Sequence, residues 1–158
     1  MDSLRPLFFL LLSLFVVSCG KSYQYEKSYE LEGEQWTYAD SLTFAFEIKD
    51  TTKIYNLYLQ VEHSTVYNFQ NLYTRIHTVF PSKERLNERL SLEMANRAGG
   101  WLGKCGSNYC TFTIPIQENA YFNQEGTHTI ILEQYMRQDS LPGIKRIEFM
   151  LEDLGLNR

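Results

Sequence analysis

The chain has 158 residues, 44% hydrophobic and 15% aromatic, and its 15 basic against 19 acidic residues leave a formal charge of −4. That size suits a single domain that buries a core without metal or several disulfides. No run of Lys and Arg occurs anywhere, which excludes the clustered positive charge that nucleic-acid binding requires.

The apolar run Leu7 to Val17 is eleven residues long, follows a short start containing Arg5, and ends at Val16-Val17-Ser18-Cys19. As a helix it would reach roughly half of a hydrocarbon core about 30 Å thick, so it reads as a signal-peptide core and not as a transmembrane span. A thiol directly after a small residue, where apolar sequence gives way to polar, marks a bacterial lipoprotein processing site. The predicted organisation is a signal peptide over residues 1–18, a lipidated tether over 19–30 and one domain over 31–158. Cys19 is the expected lipid attachment residue. Several acyl chains on it would give durable membrane attachment, since each buried methylene contributes roughly 0.8 kcal/mol. A plain secretory signal with an incidental cysteine is the alternative.

From Ser41 onward the pattern is that of strands. Leu42, Phe44, Phe46 and Ile48 alternate with Thr43, Ala45 and Glu47, which predicts one buried and one wet face. Asp50-Thr51-Thr52-Lys53 supplies a turn, and Ile54 to Glu62 alternates again through Tyr55, Leu57, Leu59 and Val61; the two runs are expected to form a hairpin. Leu72 to Phe80 and Arg85 to Met94 follow, joined by a turn at Ser82-Lys83-Glu84. Gly99, Gly100 and Gly103 around Trp101 mark a sharp turn. Thr111 to Gln117 contains Pro115, which confines it to an edge or a bulge. Strands at Thr127 to Met136 and Ile144 to Glu152 complete the series. Seven or eight strands with little helix predict an all-β fold, an antiparallel β-sandwich of jelly-roll type. A closed barrel around a ligand cavity would satisfy the same alternation.

Cys105 and Cys110 are an even pair in an oxidising compartment and are expected to form one local disulfide. A metal site would need two more ligands, and His63, His77 and His128 have no paired spacing with them. Each histidine reads as a surface or structural residue. No Gly-x-Ser-x-Gly, His-Glu-x-x-His or phosphate loop is present, so the expectation is a protein that is not an enzyme and uses no cofactor. Trp36, Trp101, Tyr109 and Tyr121 fall in or near predicted loops, where exposed rings would make an interaction surface able to stack on sugars; Trp101 between glycines reads equally as a plug for one end of the sandwich.

A further set of segments resembles the GldH family of gliding-motility lipoproteins of Bacteroidetes. These are Asp50 to Tyr58, Asn71-Leu72-Tyr73, Phe80-Pro81, Met94-Ala95 with Gly100-Trp101-Leu102-Gly103-Lys104, Gly126 to Thr129, Glu133 to Arg137 and Leu141 to Ile144. The resemblance implies a non-catalytic structural or assembly component of the gliding and type IX secretion-associated machinery, with envelope proteins as partners and no catalytic residue to carry over. Cys105 and Cys110 depart from the family's pattern. After Cys19 come Gly20-Lys21-Ser22-Tyr23-Gln24-Tyr25-Glu26, with neither an acidic cluster nor an aspartate beside the cysteine. By analogy this points to the outer membrane and a domain facing the periplasm. A glycan-binding sandwich on the cell surface is the alternative function.

Overall fold

The computed structural model describes residues 21–158; the signal segment expected over 1–18 and the expected lipid attachment residue Cys19 lie outside the described residues. Eleven strands follow in the order β1 (Tyr23–Glu30), β2 (Gln35–Thr37), β3 (Leu42–Ile48), β4 (Lys53–Ser64), β5 (Asn71–Val79), β6 (Arg85–Glu93), β7 (Lys104–Cys105), β8 (Tyr109–Ala120), β9 (Gly126–Gln134), β10 (Ser140–Pro142) and β11 (Ile144–Asn157). No α-helix occurs among the described residues, and a short 3₁₀ turn spans Glu32–Glu34.

One antiparallel sheet runs β1-β11-β4-β8-β7, the facing sheet runs β3-β9-β5-β6, and β10 pairs with β2 in a two-stranded ribbon. With the short β2, β7 and β10 set aside, the eight long strands interleave as two Greek keys across two sheets, the arrangement of a jelly roll. The expected sandwich is therefore present, with more strands than the seven or eight read from the sequence. Of the strands not read from the sequence, β2, β7 and β10 are two or three residues long, too short for alternation to register, and β1 replaces the expected tether from Tyr23 onward.

Burial follows the alternation strictly in β3, where Leu42, Phe44, Phe46 and Ile48 are buried and the residues between them exposed. Their counterparts across the core are Ile147, Phe149 and Leu151 of β11 and Tyr55, Leu57, Leu59 and Val61 of β4. Phe149 is central. Its ring lies 5.4 Å from Phe44, 5.7 Å from Phe46 and 6.1 Å from Tyr25, separations at which aromatic pairs contribute beyond simple area burial.

The tether expected over residues 19–30 is corrected from Tyr23 onward: β1 pairs along β11 from Tyr23 opposite Glu152 to Glu30 opposite Arg146. Its tyrosines explain why. Tyr25 and Tyr29 are half-buried and pack on Phe46 and Phe44, so a segment that looks polar by composition has an apolar face.

The hairpin expected between residues 41 and 62 is also corrected. β3 pairs with β9, not β4, and β4 lies in the other sheet between β11 and β8. The turn itself is as expected, with Asp50 accepting from the Thr52 amide and hydroxyl at 2.8 and 2.6 Å. It carries the chain across the sandwich. Alternation says which side chains go inward, and that is the same whether the next strand lies beside or opposite.

The β5–β6 hairpin forms as expected, in register from Asn71 opposite Glu93 to Val79 opposite Arg85. Pro115 lies in β8 where its register against β4 slips, between Tyr58 and Leu57. Gly103 has φ +85°, and a Cβ there would sit 2.3 Å from the Thr111 carbonyl; only glycine lets the chain entering β7 come this close to β8.

The two seams of the sandwich differ. On one, side chains of β1 bind carbonyls of the edge strand β3: Gln24 donates to Glu47, and Lys27 and Tyr29 donate to Thr43, at 3.0, 3.0 and 2.7 Å. On the other, β6 and β8 stand apart over a cleft of about 360 Å³ that includes Leu57, Leu86, Gln117 and Ile130.

Phe149→Ala is expected to destabilise the fold by about 3–5 kcal/mol, read as a lowered urea midpoint with an unchanged slope. An effect below about 1 kcal/mol would show that Phe149 is not the centre of the core.

Candidate functional site

The four aromatic residues expected to form one surface are separated. Trp36 is fully buried, a correction to its expected loop exposure, and its Nε1 donates to the Asp40 carbonyl at 2.9 Å. The β2–β10 ribbon, with Trp36 opposite Leu141, folds it into the core. Trp101 is half-buried against His63, ring centroids 4.6 Å apart, and donates to the Thr65 carbonyl at 3.1 Å. Tyr109 donates to Glu34 at 2.6 Å beneath the Lys145 ammonium. Only Tyr121 is largely exposed, with the Arg158 guanidinium over its ring. Cys105 and Cys110 are bonded to each other across the β7–β8 rung.

Two histidines lie in the core. His63 donates from Nδ1 to the Ser64 carbonyl at 2.9 Å, while its Nε2 and the nearby Tyr67 hydroxyl have no hydrogen-bond partner among the described residues. Burial lowers the His63 pKa and pushes the Tyr67 phenol well up, so both groups are neutral at physiological pH. His128 is held among Phe46, Phe80 and Phe122, and burial lowers its pKa as well. His77, on the outer face of β5, instead meets Asn87 and Glu133 at 2.6 and 3.2 Å.

The feature most able to take a ligand lies on the outer face of the four-stranded sheet, at the end away from Tyr23. It is an open hollow of about 1030 Å³, at the upper end of the roughly 300–1,000 Å³ typical of ligand clefts. Tyr38, Tyr73 and Tyr135 present their rings there, 51%, 45% and 39% exposed, three of only seven large apolar side chains so exposed among the described residues. Buried Met136 contributes to the lining.

The loop after β9 that carries Tyr135 is held in shape by buried Gln134, which accepts from the Met136 amide at 2.9 Å and donates to the Gln138 carbonyl at 2.8 Å. Tyr38 donates to the Met136 carbonyl, and the Tyr135 amide bonds the Tyr73 carbonyl at 2.8 Å. The guanidinium groups of Arg75 and Arg89 stand 4.4 and 5.0 Å from the Tyr135 ring centroid, and Arg137 completes the rim. None of Tyr38, Tyr73, Tyr135, Arg75, Arg89 or Arg137 stands out from the sequence as a site residue. The only signal there is the outward parity of Tyr73 and Arg75 on β5, which lacks meaning until the register sets Arg89 beside them.

Fold and sequence together define the class, an all-β lipoprotein with a jelly-roll domain. The GldH lipoprotein family model matches residues 23–151, and the chain belongs to that family. It is 23% identical over 150 residues to the gliding motility lipoprotein GldH homolog of Christiangramia forsetii, covering 92% of this chain and 91% of that protein. Against the gliding motility lipoprotein GldH of Flavobacterium johnsoniae the identity is 26% over 140 residues, covering 88% and 86%. Among solved structures, tripeptidyl peptidase 2 aligns over 84% of this chain and 10% of its own length, with 8% identity and a TM-score of 0.41.

The buried histidines set an acid limit. Above the ordinary imidazole value of 6.5 both are neutral in the folded and unfolded chain and contribute no pH dependence. Below it the unfolded chain takes up protons first, so stability falls as pH drops. Thermal unfolding should shift downward between about pH 7 and about pH 5. His63→Phe together with His128→Phe should flatten that slope; an unchanged slope in the double variant would refute the assignment.

Proposed function

We propose that this protein is a non-catalytic, lipid-anchored component of the cell envelope that serves as a structural or assembly part of the gliding-motility and type IX secretion-associated machinery. It would be held on the outer membrane with its domain facing the periplasm. The supporting observation is the shortness of the link between anchor and fold. Cys19 precedes the first residue of β1 by four positions, a reach of at most about 14 Å. A lipid on that sulfur would hold the sandwich close to the bilayer, with the end bearing the Asp50–Lys53 turn nearest the membrane. Confinement of this kind raises the effective concentration for neighbouring envelope proteins and makes modest contact affinities sufficient.

Family membership supports the motility setting, because the two relatives described above carry gliding motility in their names. The sequence after Cys19, with neither an acidic cluster nor an aspartate at the next position, supports the outer membrane and the periplasmic face.

Cys19→Ala should move the protein from the membrane pellet to the soluble fraction, abolish incorporation of labelled fatty acid and leave the thermal midpoint of the domain unchanged. Continued sedimentation with labelled lipid still attached would refute the anchor. Crosslinking in intact cells should join the wild-type protein to other envelope components and fail for the released variant; equal crosslinking by both would remove the argument from confinement.

A further inference from the structure

We infer that the hollow lined by Tyr38, Tyr73, Tyr135, Arg89 and Arg137, with Arg75 at its edge beside the Tyr135 ring, is a binding site for an acidic saccharide, a chain of sugar rings bearing carboxylate or phosphate groups. Three observations carry this beyond the proposed role in the envelope machinery.

The first is an unfavourable placement of charge. Arg75 of β5 and Arg89 of β6 are direct cross-strand partners on the outer face of the sheet. Like charges directly opposite each other destabilise a sheet, whereas opposite charges there contribute favourably. The Tyr135 ring beside both guanidinium groups offsets part of the cost. The other neighbour of Arg75 on that face is Glu133. Its carboxylate accepts from Ser41 at 2.8 Å and faces His77 at 3.2 Å; Arg75 contributes to holding it ionised, so Glu133 balances part of the Arg75 charge without forming an ion pair with it. Among the described residues neither Arg75, Arg89 nor Arg137 forms an ion pair. An anion between the two forks would accept charge-assisted hydrogen bonds from both and relieve their repulsion.

The second observation is composition. The hollow has no aspartate or glutamate in its lining, although the whole chain carries a net charge of −4. Arg89 and Arg137 lie in that lining and Arg75 beside it, a local basic character that favours an anionic ligand over a cationic one.

The third is the form of the apolar surface. Flat tyrosine rings around an open hollow suit the C–H faces of sugar rings, while their hydroxyls remain available to polar groups. An aliphatic peptide or acyl chain would be better served by the branched side chains of the β6–β8 cleft, such as Leu57, Leu86 and Ile130. Because Gln134 holds the Tyr135–Gln138 loop in place from within, the site is largely formed before a ligand arrives, which lowers the ordering cost of binding.

The test uses the intact lipoprotein purified in detergent and titrated at low salt, followed by calorimetry and by tyrosine fluorescence. Hexagalacturonate is the free acidic saccharide, and lipopolysaccharide dispersed in the same detergent presents acidic sugars carried on a lipid. Maltohexaose is the neutral control and hexaglutamate the charged peptide control. Saturable binding of either acidic saccharide is expected, at least about tenfold tighter than either control and weakening with added salt. Binding only to the free oligomer would assign a soluble polymer, and binding only to the dispersed lipopolysaccharide a lipid-borne one; either supports the site provided the Arg75→Gln, Arg89→Gln double variant loses it.

Arg75→Gln with Arg89→Gln should weaken binding by about tenfold or more. The same double variant should keep or raise the thermal midpoint, because it removes a like-charge pair, so loss of binding would not reflect unfolding. Tyr73→Ala should weaken binding by about fivefold. The inference fails if neither acidic saccharide binds, if maltohexaose or hexaglutamate binds as tightly, or if the arginine double variant binds as well as the wild type.

Discussion

The structure depends on one contact, the packing of Phe44 and Phe46 from one sheet against Phe149 from the other. Two sheets that each hide every second residue must meet about 10 Å apart, and large rings fill that gap with few side chains. Around this contact the eight long strands take the jelly-roll order. β11, the longest at 14 residues, runs between β1 and β4 and so is an interior strand of its sheet. The same packing draws Tyr25 and Tyr29 inward, which fastens β1 to the domain and shortens the free chain behind the anchor.

That shortening shapes how the molecule would work in an envelope. With a lipid on Cys19, as proposed, a short leash would give the two ends of the sandwich different surroundings, one near the bilayer and one roughly 25 Å further out along the eight residues of β1. The tyrosine and arginine hollow lies at the outer end. The two seams also differ: the one between β1 and β3 is sealed by side chains bonded to backbone carbonyls, whereas the one between β6 and β8 is open. Sealing removes β3 as an edge for unwanted strand pairing.

Burying His63 and His128 carries a cost as well as a packing benefit. Each ring fills aromatic space as a phenylalanine would, His63 beside Trp101 and His128 beside Phe122, but each also brings a polar nitrogen into that space. The domain is therefore built for near-neutral surroundings, where imidazole in the core is uncharged.

Much of the fold is legible in the chain. β3 to β6, β8, β9 and β11 are read from alternation, turn residues and the placement of Pro115. Those features depend only on near neighbours, which is why the sequence by itself determines them. The sheet to which each strand belongs is another matter. β4 leaves β3 for the opposite sheet, where Leu57 pairs with Leu151, and Trp36 enters the core because β10 arrives with Leu141 to cover it, each decided by residues far along the chain. The candidate binding site has the same origin: Arg75, Arg89 and Tyr135 are ordinary residues along the chain and become a charged, ring-lined hollow only when β6 and β9 flank β5 in this register. Alternation fixes the face a side chain takes; long-range pairing, set by how the whole core can be filled, decides what that face meets.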